Sequence, residues 1–170
     1  YLDQGVFYEQ SLTSAVDGVI KFRPFFQADT TVDMAFANQG LTSTLGHPFM
    51  AYEPWKMRLA ANQWKEKMEQ IKKSRLEENN AYIFIDNLSQ IDKKLEVFYA
   101  SEPDIAKIYL LDVANYAENS TSDRPGRHGL SKDVARMLTK KLKAKGLKVH
   151  AHIETAEDFN LAVDIGVNSV

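Results

Sequence analysis

Cysteine is absent from this 170-residue chain. That excludes a disulfide scaffold and any zinc–thiolate site. No apolar run approaches the length needed to cross a bilayer, so no membrane span is expected. An excess of charge is missing as well. Twenty-one Lys and Arg against 23 Asp and Glu leave a net −2, too little to imply a polyanion-binding surface, and no nucleic acid partner is expected. Glycine numbers only 8, and no glycine-rich phosphate loop follows the first strand-like segment, which counts against a nucleotide. No internal repeat and no low-complexity linker divides the chain, so it reads as one domain or part of one. None of these absences fixes a compartment.

What is present is an alternation of strand and helix signals, clearest in the C-terminal half. "PDIAKIYLLD" (103–112) is a near-continuous apolar run of the kind buried on both faces of a parallel sheet. A polar stretch, "VANYAENSTSDRPGRHG", reads as a long loop. Ser131 then reads as an N-cap, and Val134, Met137, Leu138 and Leu142 follow helical spacing up to Gly146. "LKVHAH" (147–152) is the next strand. Thr155 with Asp158 resembles a capping box, "AEDFNLAVDI" is a helix stopped by Gly166, and "VNSV" opens another strand. Tight β-α-β-α-β connections predict a parallel sheet and an α/β fold.

The N-terminal half is less regular. Strands are expected at 5–10, 31–40 and 81–87. A helix is expected over 88–101, and one long charged helix over 54–79. The apolar stripe of that long helix, Met57, Ala60, Trp64, Met68 and Ile71, is read as a packing face.

Two histidines carry the sharpest functional signal. Side chains at i and i+2 on a strand share a face, so His150 and His152 project together, and His152 falls at the strand's C-terminal end. In barrels of alternating strands and helices that end holds the active site. Lys107 lies within an apolar strand, with Tyr109 on its face. A buried ammonium must be paired, deprotonated or modified. The plainer readings are a hydrogen-bonded core histidine and a lysine stem that snorkels to water.

The segments "PDIAKIYLLD", "GRHGLS" and "GLKVHAHIETAEDFNLAVDIGVNSV" together resemble the middle of an amidohydrolase-superfamily barrel, most of all its imidazolonepropionase- and prolidase-like branch. "YLDQGVFY" is similar to an early strand of that family, and "ANQGLTSTLGHP" to the loop after its third strand. The resemblance implies a divalent-metal hydrolase on a (β/α)₈ TIM-type barrel, cleaving an amide, peptide or cyclic amide bond of a small-molecule substrate with metal-activated water. It implies zinc, as one or two ions. Lys107 matches the fourth-strand lysine that is often carbamylated and bridges two metals. His152 matches the fifth-strand metal ligand. His150, Tyr109, His47 and Glu154 become supporting or substrate-facing candidates, and Glu154 stands where many relatives carry another histidine. His128 is read as an ordinary surface-loop histidine.

The family's first-strand His-x-His, sixth-strand histidine and eighth-strand aspartate have no counterpart here, and such a barrel needs ~250 residues. The expectation is therefore an internal fragment spanning about strands two to six, a half-barrel with no catalytic residue of its own, inactive alone and prone to self-associate through its sheet edges. Two other readings stand beside it. One is a complete small α/β ligand-binding domain without metal chemistry. The other is an interaction module whose histidines are inert.

Overall fold

The computed structural model describes residues 1–26, 30–121 and 124–170. Among the described residues six short strands are all paired in parallel: β1 (Tyr8–Ser11), β2 (Asp33–Phe36), β3 (Gly40–Thr42), β4 (Tyr82–Phe84), β5 (Ala106–Tyr109) and β6 (Val149–His152). β1 pairs with β2. β3 lies between β4 and β5, and β6 pairs with β5 on the far side. The stretch after Gly166 begins the next parallel strand, with Ser169 bridged to His150. Within the larger sheet β3, β5, β6 and the stretch after Gly166 neighbour one another in chain order, and β1 and β2 form a separate parallel pair. This is a mixed α/β fold with parallel sheets that corresponds to part of a TIM-type barrel.

The helices are α1 (Val16–Phe22), α2 (Phe49–Lys56), α3 (Trp64–Lys73), α4 (Ile91–Ala100), α5 (Tyr116–Thr121), α6 (Lys132–Ala144) and α7 (Ala156–Asp164). The main core lies on one side of the four-stranded sheet. Leu41, Ile83, Ile85, Ala106, Ile108, Leu110, Val149 and Ala151 pack there against Leu95 and Phe98 of α4, Val134, Leu138 and Leu142 of α6, and Leu161 of α7. Alternation along the strands then puts Gly40, Thr42, Lys107, Tyr109, His150 and His152 on the opposite face. That face carries the polar chemistry.

Local signals account for the C-terminal half. Thr155 and Asp158 form the capping box of α7. Gly146 and Gly166 take left-handed conformations just past α6 and α7, where a side chain would be strained. Ser131 is the N-cap of α6, although its side chain makes no cap hydrogen bond.

The strands are shorter than their apolar runs. The segment expected as one strand over 31–40 is two, because Asn38 turns into the left-handed region between β2 and β3. The polar stretch after β5 is not all loop, since α5 forms within it; residues 122 and 123 of that stretch lie outside the described residues.

The single helix expected over 54–79 is corrected to α2, a reversal and α3. Arg58 adopts a left-handed φ of 57°, and the Leu59 N–H returns to the Pro54 carbonyl to close α2. The reversal lets Phe49 and Ile71 both reach Tyr82 and Phe84. A straight helix of that length would run ~39 Å and carry its ends apart. The stripe is a packing face at Met57, Trp64 and Ile71, but Ala60 is exposed.

Candidate active site

The polar face is ordered in two rows. Strand register places Gly40, Lys107, His150 and Ser169 side by side across four neighbouring strands. Two residues further along lie Thr42, Tyr109 and His152, with Tyr109 paired to His152. The loop after β3 brings His47 over this second row. The His47 and His152 rings stack with centroids 5.0 Å apart, and Tyr109 lies 5.0 Å from His47 and 5.6 Å from His152. Lys107 Nζ sits 5.7 Å from the centre of the Tyr109 ring.

Tyr109 is fixed from two sides. Its hydroxyl shares a 2.6 Å hydrogen bond with Thr13 Oγ1. Its ring lies over Gly40, where a Cβ would come within 2.4 Å of it. Only glycine leaves that space.

Burial sets the charge state of the cluster. Lys107 is 7% exposed, and among the described residues no carboxylate pairs with it. Burial lowers its pKa from 10.5 to about 8, so roughly a tenth of it is neutral amine at pH 7. His47 is lowered to about 4 by burial and by the facing charges of His152 and Lys107. His152 is lowered by burial and by Lys107, against an opposing pull from Glu154 and Asp158. His150 is lowered by burial, Lys107 and Lys148. The imidazoles are thus held in the neutral form that binds cations.

Two loops are locked around the site. Asp158 has no exposed surface. Its carboxylate accepts hydrogen bonds from the backbone N–H of Asp112 and Val113 after β5, and of Glu154 and Thr155 after β6. Segment 126–129 is laid along 43–47: Gly126 N–H donates to the Leu45 carbonyl, His47 N–H to the His128 carbonyl, and Ser43 Oγ to the Gly129 carbonyl. His128 is corrected from a surface residue to a buried one, 2% exposed. Its Nε2 donates to the Thr44 carbonyl and its ring meets Tyr116 edge-on. The tight strap draws it in, because Gly46 and Gly129 leave no room for side chains between the backbones.

The structure therefore brings together Lys107, Tyr109, His47 and His152, with His150 one row below. Glu154 is exposed past the end of β6 and reaches the site electrostatically. Thr13, Gly40 and the double anchorage by Asp158 escape sequence reasoning. Asp158 alone carried a signal, as the third residue of a capping box.

The donors fit a divalent ion in part. Neutral imidazoles and a lysine biased toward free amine face one region, yet among the described residues no group of three or more His, Asp or Glu side chains is gathered to cage an ion. His47 and His152 are nearly parallel, 22° between planes, which makes His47 a stacking partner.

Parallel strands with polar groups at their C-terminal ends correspond to part of a TIM-type barrel. No family model matches the sequence, and no curated protein matches it. Among solved structures the chain is similar to ochratoxinase from A. niger, at 15% identity and a TM-score of 0.61. It is equally similar in fold to an uncharacterised protein, at 18% identity and a TM-score of 0.61. Each alignment covers 98% of this chain and 36% of the other, so the chain spans about a third of the length of these structures.

Proposed function

We propose that this chain is an internal part of a divalent-metal-dependent hydrolase of the amidohydrolase superfamily, acting on an amide, peptide or cyclic amide bond of a small molecule. The observation that carries the reading is Lys107: a lysine buried without a carboxylate, on the strand beside a His-Ala-His strand, its amine biased toward neutrality.

The neutral Nζ lone pair can attack the carbon of CO₂, forming an N–C bond and releasing one proton to solvent. The product is a carbamate, which replaces a costly buried ammonium with an oxygen ligand. Lys107 and His152 would then hold zinc, as one or two ions. The ion, when bound, supplies a water of pKa about 7 and polarises the scissile carbonyl. His47 keeps the His152 ring in place by stacking, and Tyr109, tethered to Thr13, walls the site. The imidazolonepropionase- and prolidase-like branch remains the closest reading of the sequence. With so few ligands the chain is expected to be inactive alone and to self-associate through its sheet edges. Intact-mass measurement in bicarbonate tests the lysine: wild type gains one CO₂ and Lys107→Gln does not. An unmodified wild type overturns this role.

One observation favours a second reading. The order β4-β3-β5-β6 also occurs in doubly wound sheets, whose ligands bind where the order reverses, here between β3 and β5. A small-ligand domain without metal chemistry would bind at the C-terminal ends of β3 and β5. It predicts no metal dependence of any property.

A further inference from the structure

We infer that the groove between α4 and α6 is a binding site for a small organic anion, a monocarboxylate with an apolar body, held by the Tyr99 hydroxyl and the Lys145 ammonium. The site is separate from the polar face, because α4 and α6 pack on the other side of the four-stranded sheet.

The groove encloses about 400 Å³, within the range of small-molecule sites. Leu95 and Ala144 give it apolar walls, and Tyr99 and Lys145 line one end. At the other end Lys141 Nζ pairs with Asp92 at 2.7 Å. Asp92 and Tyr99 are seven residues apart on α4, ~10 Å along the helix axis. A ring carrying a short acid chain has that length.

The ligand class follows from the groups left without partners. Tyr99 Oη is buried and has no hydrogen-bond partner among the described residues. Burial, and then the charge of Asp92, raise its pKa, so at neutral pH it is an O–H donor with nothing to receive it. Such orphaned groups are few in folded proteins. Packing does not ask for the hydroxyl, since the Tyr99 ring meets the main core and lies 5.8 Å from the Phe98 ring. Lys145 Nζ sits 5.7 Å from the centre of the Tyr99 ring, and among the described residues no carboxylate pairs with it. A donor and a cation at one end of an apolar groove suit an acceptor that carries negative charge, and charge-assisted bonds are the strong ones. The end of α6 does not compete, because the Lys145 N–H takes up the Lys141 and Leu142 carbonyls and the Gly146 N–H the Lys143 carbonyl. Glu96 also lines the groove but is exposed, where solvent screens its charge. An organic cation would face the Lys145 ammonium and leave the Tyr99 O–H without an acceptor.

The test is ¹H–¹⁵N NMR of the whole 170-residue chain, titrated with hydrocinnamate, with its amide and phenethylamine as the neutral and cationic counterparts. The acid should shift the backbone signals of Leu95, Tyr99, Ala144 and Lys145 saturably, the amide more weakly, and the amine not at all. Tyr99→Phe should weaken binding of the acid by about 10-fold or more, and Lys145→Gln by ~3-fold. Because the hydroxyl makes no bond in the free chain, Tyr99→Phe should melt no lower than wild type, which also shows that the variant folds. A lower melt would reveal a partner for the hydroxyl and overturn the inference. So would an acid that shifts nothing in the groove, shifts confined to the face of Lys107 and His152, an equal response to the amine, or a Tyr99→Phe variant that binds as wild type does.

Discussion

Removing the Asp158 carboxylate should cost this chain more stability than any exposed charge. The side chain is fully buried and accepts four backbone N–H groups, from Asp112 (3.0 Å), Val113 (2.8 Å), Glu154 (3.0 Å) and Thr155 (3.0 Å). A hydrogen bond to a charged group contributes about 1.5–3 kcal/mol net. Four bonds to one carboxylate do not add independently, and some of the freed N–H groups would reach water. Counting two at full value gives ~3–5 kcal/mol for Asp158→Ala. For a chain of this size that corresponds to a fall in Tm of roughly 8–16 °C. Asp158→Asn should fall between, because its amide oxygen still accepts while its NH₂ faces N–H groups. Asp164 on the same helix pairs with Arg136 at 2.6 Å, but both are largely exposed, so Asp164→Ala should cost at most ~0.5 kcal/mol. Urea unfolding and thermal melts of the three variants decide it. A loss below about 1 kcal/mol for Asp158→Ala would refute the view that this carboxylate ties the two site loops together.

Further outcomes are expected. Gly129→Ala places a Cβ 2.1 Å from the Tyr109 carbonyl oxygen and 2.8 Å from the Leu110 nitrogen; backbone cannot yield as a side chain can, so a loss of ~3 kcal/mol or more should show in denaturant unfolding. Tyr109→Phe deletes the bond to Thr13 and should cost ~1 kcal/mol by the same assay. Lys107 binds fewer protons folded than unfolded between its native pKa of about 8 and 10.5, so stability of the unmodified chain should rise with pH across that window. Lys107→Met should flatten the rise and gain on the order of 2 kcal/mol at neutral pH. His47, held at about 4, is neutral in the fold where the unfolded chain is already protonated. Stability of the metal-free chain should therefore fall from pH 6.5 toward 4, and His47→Gln should remove much of that fall.

The sequence was most legible where one local rule decides the structure. Apolar runs bounded by a capping box and by left-handed glycines mark β5, α6, β6 and α7. It was least legible where distant segments decide. Nothing near residue 58 announces that the chain must reverse so that Phe49 and Ile71 reach the same strand. Asn38 breaks a β-branched and apolar run at a point fixed by its side chain, whose Nδ2 donates to the carbonyl of Ser101, 63 residues away. β4 follows β3 in sequence and precedes β5, yet β3 separates the two in the sheet. The site divides the same way. Lys107, Tyr109, His150 and His152 were readable because strand alternation places them without tertiary knowledge. His47 joins them and His128 is buried only through loop-to-loop contacts, which no local pattern encodes.

The most direct test of the metal-site reading is the metal content of the purified protein, by elemental analysis, for wild type and for His152→Ala. The account predicts zinc or another divalent ion in the wild type and its loss in the variant, with the fold retained by circular dichroism. No metal in either protein would contradict it, while leaving the barrel fold in place.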